Sequence, residues 1–132
     1  MRSSFFHPAA AVFAAAVLIA PVAAFAHPEL KSSTPAAKST VAAPATLQLH
    51  FAEPLELKLS GVNLTLVSMM MSGKMTTHNL KIDTTAVLDP KDPKTLIVTP
   101  KTPLSSGNYK VAWHATSVDT HRLTGTYTFT VK

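Results

Sequence analysis

The feature that most constrains the fold is a series of short segments in which apolar and polar residues alternate. Strict alternation places every second side chain on the same face, which is typical of a half-buried β-strand. No helical period competes with this pattern after residue 27. The clearest strand segments are residues 47–51, 62–66, 95–99, 109–115 and 124–131, and residues 29–33 and 80–82 are weaker candidates.

About seven short strands separated by Pro, Gly, Asn and Asp turns predict an all-β fold, a single Greek-key β-sandwich or barrel. The 10 prolines suit loop ends and strand edges. The chain has no cysteine, so packing rather than disulfides must stabilise the fold, and no thiolate can bind a metal. Because no repeat or linker divides it, we expect one domain over residues 27–132.

The first 26 residues have the features of a cleaved secretory signal peptide. One positive charge precedes an uncharged apolar run over residues 9–24, which Pro21 interrupts and the small-residue site Ala24-Phe25-Ala26 follows. A membrane anchor is the alternative, but the run is short for a bilayer span. We therefore expect export with cleavage after Ala26, and cleavage after Ala24 as a competing outcome.

The basic character of the chain does not indicate nucleic-acid binding. There are 12 Lys and Arg against 7 Asp and Glu, but the lysines are far apart along the sequence. Nucleic-acid-binding proteins usually cluster their positive charge. These lysines are therefore interpreted as a solvated surface.

Asp119 and His121, within the stretch 117–125, are candidate metal ligands. In an extended backbone, residues two apart leave on the same side, so a carboxylate and an imidazole could reach one point. The pair could instead orient a serine nucleophile such as Ser117, but nothing indicates an oxyanion hole. Two protein ligands are too few to hold a metal tightly, so a metal site needs a third.

Cleavage after Ala26 would supply that third ligand from His27. Its free α-amine and its Nδ1 can close a six-membered chelate ring, and Pro28 has no backbone N–H for copper to displace. Nitrogen and oxygen ligands suit Cu(II), although zinc would also accept two imidazoles and a carboxylate. Glu53 follows the strand that carries His50 and could also bind the metal from a loop.

Four of the five methionines lie within seven residues, and a histidine follows three residues later. Thioether sulfur is a soft ligand that selects Cu(I) and has little use for zinc. Methionine also fills gaps in cores, but three successive residues on a strand cannot all face a core. Ser72-Gly73-Lys74 predicts a loop that would expose them. We therefore predict a Cu(I) site that uses a subset of Met69, Met70, Met71, Met75 and His78.

Two other histidines are predicted to be surface residues rather than ligands. His50 shares its strand face with Gln48, away from the predicted core. His114 shares a face with Lys110 and Ala112.

Five stretches of the chain match a known family: residues 27–36 (HPELKSSTPA), 49–54 (LHFAEP), 92–96 (DPKTL), 109–113 (YKVAW) and 117–125 (SVDTHRLTG). Together they resemble CopC, the periplasmic copper resistance protein. The resemblance implies a cupredoxin-like Greek-key fold with two copper sites at opposite ends. The Cu(II) site would use His27, Asp119 and His121, with Glu53 matching a position sometimes counted as a ligand. The Cu(I) site would use the methionines and His78.

The resemblance also implies a function without enzymatic activity. Such a protein would carry, buffer or sequester copper in the periplasm, beside an inner-membrane copper importer and other periplasmic copper proteins. After cleavage it would not be embedded in the membrane.

Two other classes of function remain open from the sequence. A copper oxygenase or oxidase is the first, because an N-terminal histidine chelate with a second histidine also resembles polysaccharide monooxygenases. Asp119 argues against it, since a carboxylate fills a position that oxygen would need. The second is a structural, immunoglobulin-like module with incidental metal affinity.

Overall fold

A computed structural model describes residues 29–132, which form two β-sheets packed face to face. The predicted signal peptide and His27 lie outside the described residues. The described part contains one short 3₁₀ helix, residues 57–59, and no α-helix. The strands are β1 (Leu30–Thr34), β2 (Thr40–Val41), β3 (Leu47–Phe51), β4 (Gly61–Met71), β5 (Lys74–Ile82), β6 (Thr84–Asp89), β7 (Asp92–Pro100), β8 (Gly107–Thr116) and β9 (Arg122–Val131).

The strands divide into a four-stranded and a five-stranded sheet. The first has the order β1-β3-β7-β6 and the second the order β2-β9-β8-β4-β5. Every pairing is antiparallel except that of β2 with β9, which is parallel. In addition to the short excursion of β2 between β1 and β3, the chain changes sheets between β3 and β4, between β5 and β6, and between β7 and β8. Strands from both halves of the sequence therefore enclose one core.

The all-β prediction is confirmed, with nine strands within residues 29–132 in place of about seven. Strand β3 has the predicted bounds, and the other clear segments extend further in β4, β7, β8 and β9. The two weak candidates are real and belong to β1 and β5. The sequence missed β2 and β6, because the first is two residues long and the second is an edge strand without a fully buried face.

The alternating residues face the core as predicted. Leu47, Leu49 and Phe51 of β3 are fully buried. Phe51 meets Trp113 of β8 edge to face, with ring centroids 5.2 Å apart and planes at 71°. Because β3 and β8 belong to different sheets, this contact joins the two layers where the chain leaves β3.

No helix within residues 29–132 has the length and apolar character needed to cross a membrane.

Trp113 requires a glycine on the neighbouring strand. Gly125 of β9 is its direct partner, and a Cβ at Gly125 would lie 2.4 Å from Cζ2 of Trp113. We expect Gly125→Ala to lower the free energy of unfolding by about 1–3 kcal/mol, the usual cost of overpacking. Urea unfolding followed through the fluorescence of Trp113, the single tryptophan of the chain, measures this.

Gly61→Ala is the matched control. It also lies within a strand, but a Cβ there would approach the imidazole of His114 at 3.1 Å, and His114 is exposed and free to shift. Equal losses of stability in the two variants would contradict the role assigned to Gly125.

Candidate metal centre

Three side chains able to bind a metal meet at one end of the sandwich. Ligand atoms of Glu53, Asp119 and His121 all lie within 4.8 Å of one another. Glu53 is half-buried and the other two are exposed. The structure therefore brings together three of the residues that the sequence selected as Cu(II) ligands, two carboxylates and one imidazole.

A turn, not an extended strand, places Asp119 beside His121. The amide of Ser117 donates to the carbonyl of His121 at 2.9 Å, and the amide of Thr120 donates to the carbonyl of Ser117 at 2.9 Å. Thr120 has a φ of 75°, in the left-handed region that non-glycine residues seldom adopt. The expectation of extended backbone here is wrong, because the chain reverses direction between β8 and β9.

Backbone hydrogen bonds tie the Glu53 loop to this turn. The amide of Val118 donates to the carbonyl of Pro54 at 3.1 Å, and the amide of Glu56 donates to the carbonyl of Thr116 at 2.8 Å. Glu53 thus reaches Asp119 and His121 from a segment more than sixty residues earlier in the sequence. Its proximity depends on tertiary structure alone.

The start of the described chain lies at the same end. The amide of Ala52 donates to the carbonyl of Glu29 at 2.9 Å, so Glu29 is directly beside the loop that carries Glu53. His27 precedes Glu29 by two residues. His27 itself lies outside the described residues.

The electrostatics of the turn favour a charged Asp119. Its Oδ1 accepts a hydrogen bond from the hydroxyl of Ser117, and its Oδ2 is 3.5 Å from Nδ1 of His121. The Ser117 hydrogen bond is the main cause that holds the pKa of Asp119 below its ordinary value, and His121 and Glu53 act in the same direction. A carboxylate that stays ionised is a ready ligand for a divalent cation.

The methionines lie on a β-hairpin at the other end of the molecule. Only Ser72 and Gly73 form its turn, with φ angles of 51° and 75°, as a two-residue type I′ connection requires. The expected loop over Ser72-Gly73-Lys74 is therefore shorter than predicted. Met71 ends β4 and Met75 lies within β5.

The register of this hairpin divides the methionines between two faces. Met70 pairs with Met75, whereas Met69 pairs with Thr76 and Met71 with Lys74. Directly opposed residues share a face, so Met70 and Met75 point together, away from Met69 and Met71. Met70, Met71 and Met75 are exposed, and Met69 packs partly against the core. The prediction that the consecutive methionines cannot all be core residues is confirmed.

A groove of about 230 Å³ lies beside the pair. Met69, Met70 and Met75 line it together with Asn108 and Lys132 of the neighbouring strand ends. Neither Met71 nor His78 lines this groove. His78 lies where the pairing of β4 with β5 becomes irregular. The Nε2 atom of His78 is buried without a hydrogen-bond partner.

Strand β8 separates the two regions. Asn108 near its start borders the methionine groove, and Ser117 just after its end belongs to the turn with Asp119. Nine residue steps of about 3.3 Å each give a separation of roughly 30 Å.

The two remaining histidines of the described chain, His50 and His114, belong neither to the cluster around Asp119 nor to the lining of the methionine groove. His50 is half-exposed, with Nδ1 2.9 Å from Oγ1 of Thr95 and 3.2 Å from Oδ2 of Asp92. Hydrogen bonds from Thr95 and from the amide of Lys94, with His50 adding to them, hold the pKa of Asp92 below its ordinary value. His114 is exposed on the outer face, as predicted. The hydrogen bonding of His50 could not be predicted from the sequence, since its partners belong to another strand.

The lowered pKa of Asp119 has a direct test. We expect its carboxyl carbon to titrate below 3.8, the ordinary value for this group, in a ¹³C NMR titration of the metal-free protein. Because the folded state depresses this pKa, the stabilisation is complete above the unfolded value and is lost as pH falls through the folded one. Asp119→Asn identifies the signal. A midpoint at or above 3.8 would contradict the geometry described.

Comparison with known proteins gives a consistent result. The sequence matches the family model of the CopC domain over residues 30–132. It is 49% identical over 109 residues to the copper resistance protein C of Escherichia coli, covering 83% of this chain and 84% of that protein. To the protein of the same name from Pseudomonas syringae pv. tomato it is 46% identical over 121 residues, covering 92% of each.

A solved structure has the same architecture. The crystal structure of PcoC, described as a methionine-rich copper resistance protein from Escherichia coli, superposes with a TM-score of 0.70 at 47% sequence identity. The alignment covers 81% of this chain and 100% of that chain.

Proposed function

The chain belongs to the CopC family, and from that premise we propose that it is a periplasmic protein that carries, buffers or sequesters copper. The family supports copper as the metal and copper resistance as the process. The observation that carries the proposal is the convergence of Glu53, Asp119 and His121 at the end where the described chain begins. Copper is the cargo in this proposal, and no chemical conversion of a substrate is involved.

The proposed Cu(II) ligands are the α-amine and imidazole of His27, the imidazole of His121 and a carboxylate oxygen of Asp119. Glu53 is within reach as a further oxygen ligand. The place of His27 in the sequence, two residues before Glu29, supports its participation, since Glu29 is hydrogen-bonded to Ala52 beside Glu53. Such a nitrogen and oxygen set suits Cu(II), which also has the highest affinity among divalent first-row metals.

Binding at this site requires that nitrogen ligands lose their protons. The amine and both imidazoles bind a metal only in their neutral forms, so protons compete with copper. We expect the Cu(II) affinity to fall between about pH 8 and pH 5, where amines and histidines acquire their charge. A flat profile over that range would exclude the amine–imidazole chelate.

Variants of the turn test the Cu(II) site. We expect His121→Gln to weaken Cu(II) binding by roughly 100-fold or more, beyond the loss typical of changes outside the ligand sphere. Competition with a chromophoric Cu(II) chelator measures the affinity of the exported, processed protein. His114→Gln is the matched control, because His114 is an exposed histidine outside the cluster and should leave the affinity unchanged. Equal losses in the two variants would contradict the proposed site.

The mass of the exported protein decides the contribution of His27. A chain that begins at His27 and gains one copper supports the chelate. A chain that begins at Phe25 would have no amine at His27, and the site would then consist of side chains alone.

We further propose that the methionine hairpin binds Cu(I), with Met70 and Met75 as the central pair. The two thioethers are opposed on one exposed face, and Met69 lines the same groove. Met71 and His78 remain candidate ligands of lower rank, because neither lines that groove. Thioether sulfur selects Cu(I) over harder ions.

Leucine substitutions test this assignment, since leucine keeps the volume of methionine but removes the sulfur. The double variant Met70→Leu/Met75→Leu should weaken Cu(I) binding by about tenfold or more, which is about 1.4 kcal/mol. Competition with a chromophoric Cu(I) chelator under reducing conditions measures it. Met71→Leu is the control. A larger loss from Met71→Leu than from the double variant would overturn the central pair.

The separation of roughly 30 Å between the two regions limits how they can cooperate. Copper cannot pass directly between ligand sets so far apart. A change of oxidation state would therefore alter which site retains copper, and transfer would involve release to the periplasm or to a partner. An inner-membrane copper importer or another periplasmic copper protein is the proposed partner.

A further inference from the structure

Ser117 is a buried polar residue in a turn whose other members are exposed. Only 1% of its surface is accessible. Its hydroxyl donates to Oδ1 of Asp119 and accepts the amide of His121 at 3.2 Å. A buried hydroxyl needs such partners, but here both belong to the residues that carry the proposed ligands. One oxygen atom thus contacts the side chain of one ligand residue and the backbone of the other.

The hydrogen bond distinguishes the two oxygens of Asp119. Oδ1 is occupied by Ser117, whereas Oδ2 lies on the side of His121, 3.5 Å from its Nδ1. Without an anchor, the terminal torsion of an exposed aspartate has a broad distribution. Ser117 itself cannot move readily, because its amide is hydrogen-bonded to the carbonyl of His121 and it bridges Leu55.

We propose that Ser117 is the positioning residue of the Cu(II) site, which holds Asp119 through Oδ1 so that Oδ2 faces the point shared with His121 and Glu53. The inference rests on the proposed Cu(II) function. Hydrogen-bond partners of metal ligands typically change metal affinity by roughly 10–100-fold when they are removed.

The first experiment compares two buried serines. Ser117→Ala should weaken Cu(II) binding by roughly 10–100-fold and alter the Cu(II) EPR spectrum. Ser60→Ala is the matched control: Ser60 is also buried, and its hydroxyl accepts the amide of Thr116 at 3.0 Å without contacting Asp119. It should leave the affinity and the spectrum unchanged. An unchanged Ser117→Ala protein would overturn the proposal.

A double-mutant cycle separates positioning from general support of the turn. If Ser117 acts through the carboxylate, Ser117→Ala should cause little further loss in an Asp119→Ala background. An equal loss in both backgrounds would show a structural role only and overturn the proposal. If Asp119→Ala binds Cu(II) as tightly as the unmodified protein does, the proposed Cu(II) site itself is wrong. That result differs from a failure of the role proposed for Ser117 alone.

Asp119→Glu gives a test that does not alter the buried serine. Asp119 is exposed, so the longer side chain is compatible with folding. It keeps the carboxylate but moves it one methylene away from the Ser117 hydroxyl. Binding weakened to the level of Asp119→Ala supports positioning, and binding equal to that of the unmodified protein would overturn it.

Discussion

The packing of Phe51 on Trp113 is the contact on which the rest of this molecule depends. It joins β3 of one sheet to β8 of the other, directly below the points where both strands end. The loop after β3 carries Glu53 and the turn after β8 carries Asp119 and His121. Because this contact holds the two strand ends together, the loops that follow them can form backbone hydrogen bonds with each other. The three candidate ligands then meet.

The buried strands provide the rigidity of the fold, whereas the candidate ligands Asp119 and His121 are exposed to solvent. The core residues are almost fully buried, whereas the imidazole and the carboxylate of the turn are accessible to solvent. Access suits the proposed uptake and release of copper, but exposed side chains are poorly ordered unless something fixes them. The buried hydroxyl of Ser117 fixes the carboxylate of Asp119 through a hydrogen bond. The side chain of Asp119 can therefore be both accessible to solvent and held in one orientation.

The same strand that supports the turn also sets the distance to the methionines. Strand β8 spans the sandwich from the methionine groove to the site of Asp119. Its length keeps hard nitrogen and oxygen donors apart from soft sulfur donors. This separation fits the proposal that each donor set suits one oxidation state of copper, and the family relationship is consistent with copper as the metal.

The sequence by itself determined the all-β class, the inward faces of the principal strands, the CopC resemblance and the residue types suited to copper. Alternation and donor chemistry are local properties, so they can be read without coordinates. Only the tertiary structure showed that Glu53 meets Asp119 and His121 and that the chain turns at Thr120. It also showed that the residue opposite Met75 is Met70 and not Met69. The physical reason is that the Glu53 contact joins segments more than sixty residues apart, whereas the other two depend on the exact geometry of a turn. A shift of one residue in a hairpin exchanges the two faces of a strand.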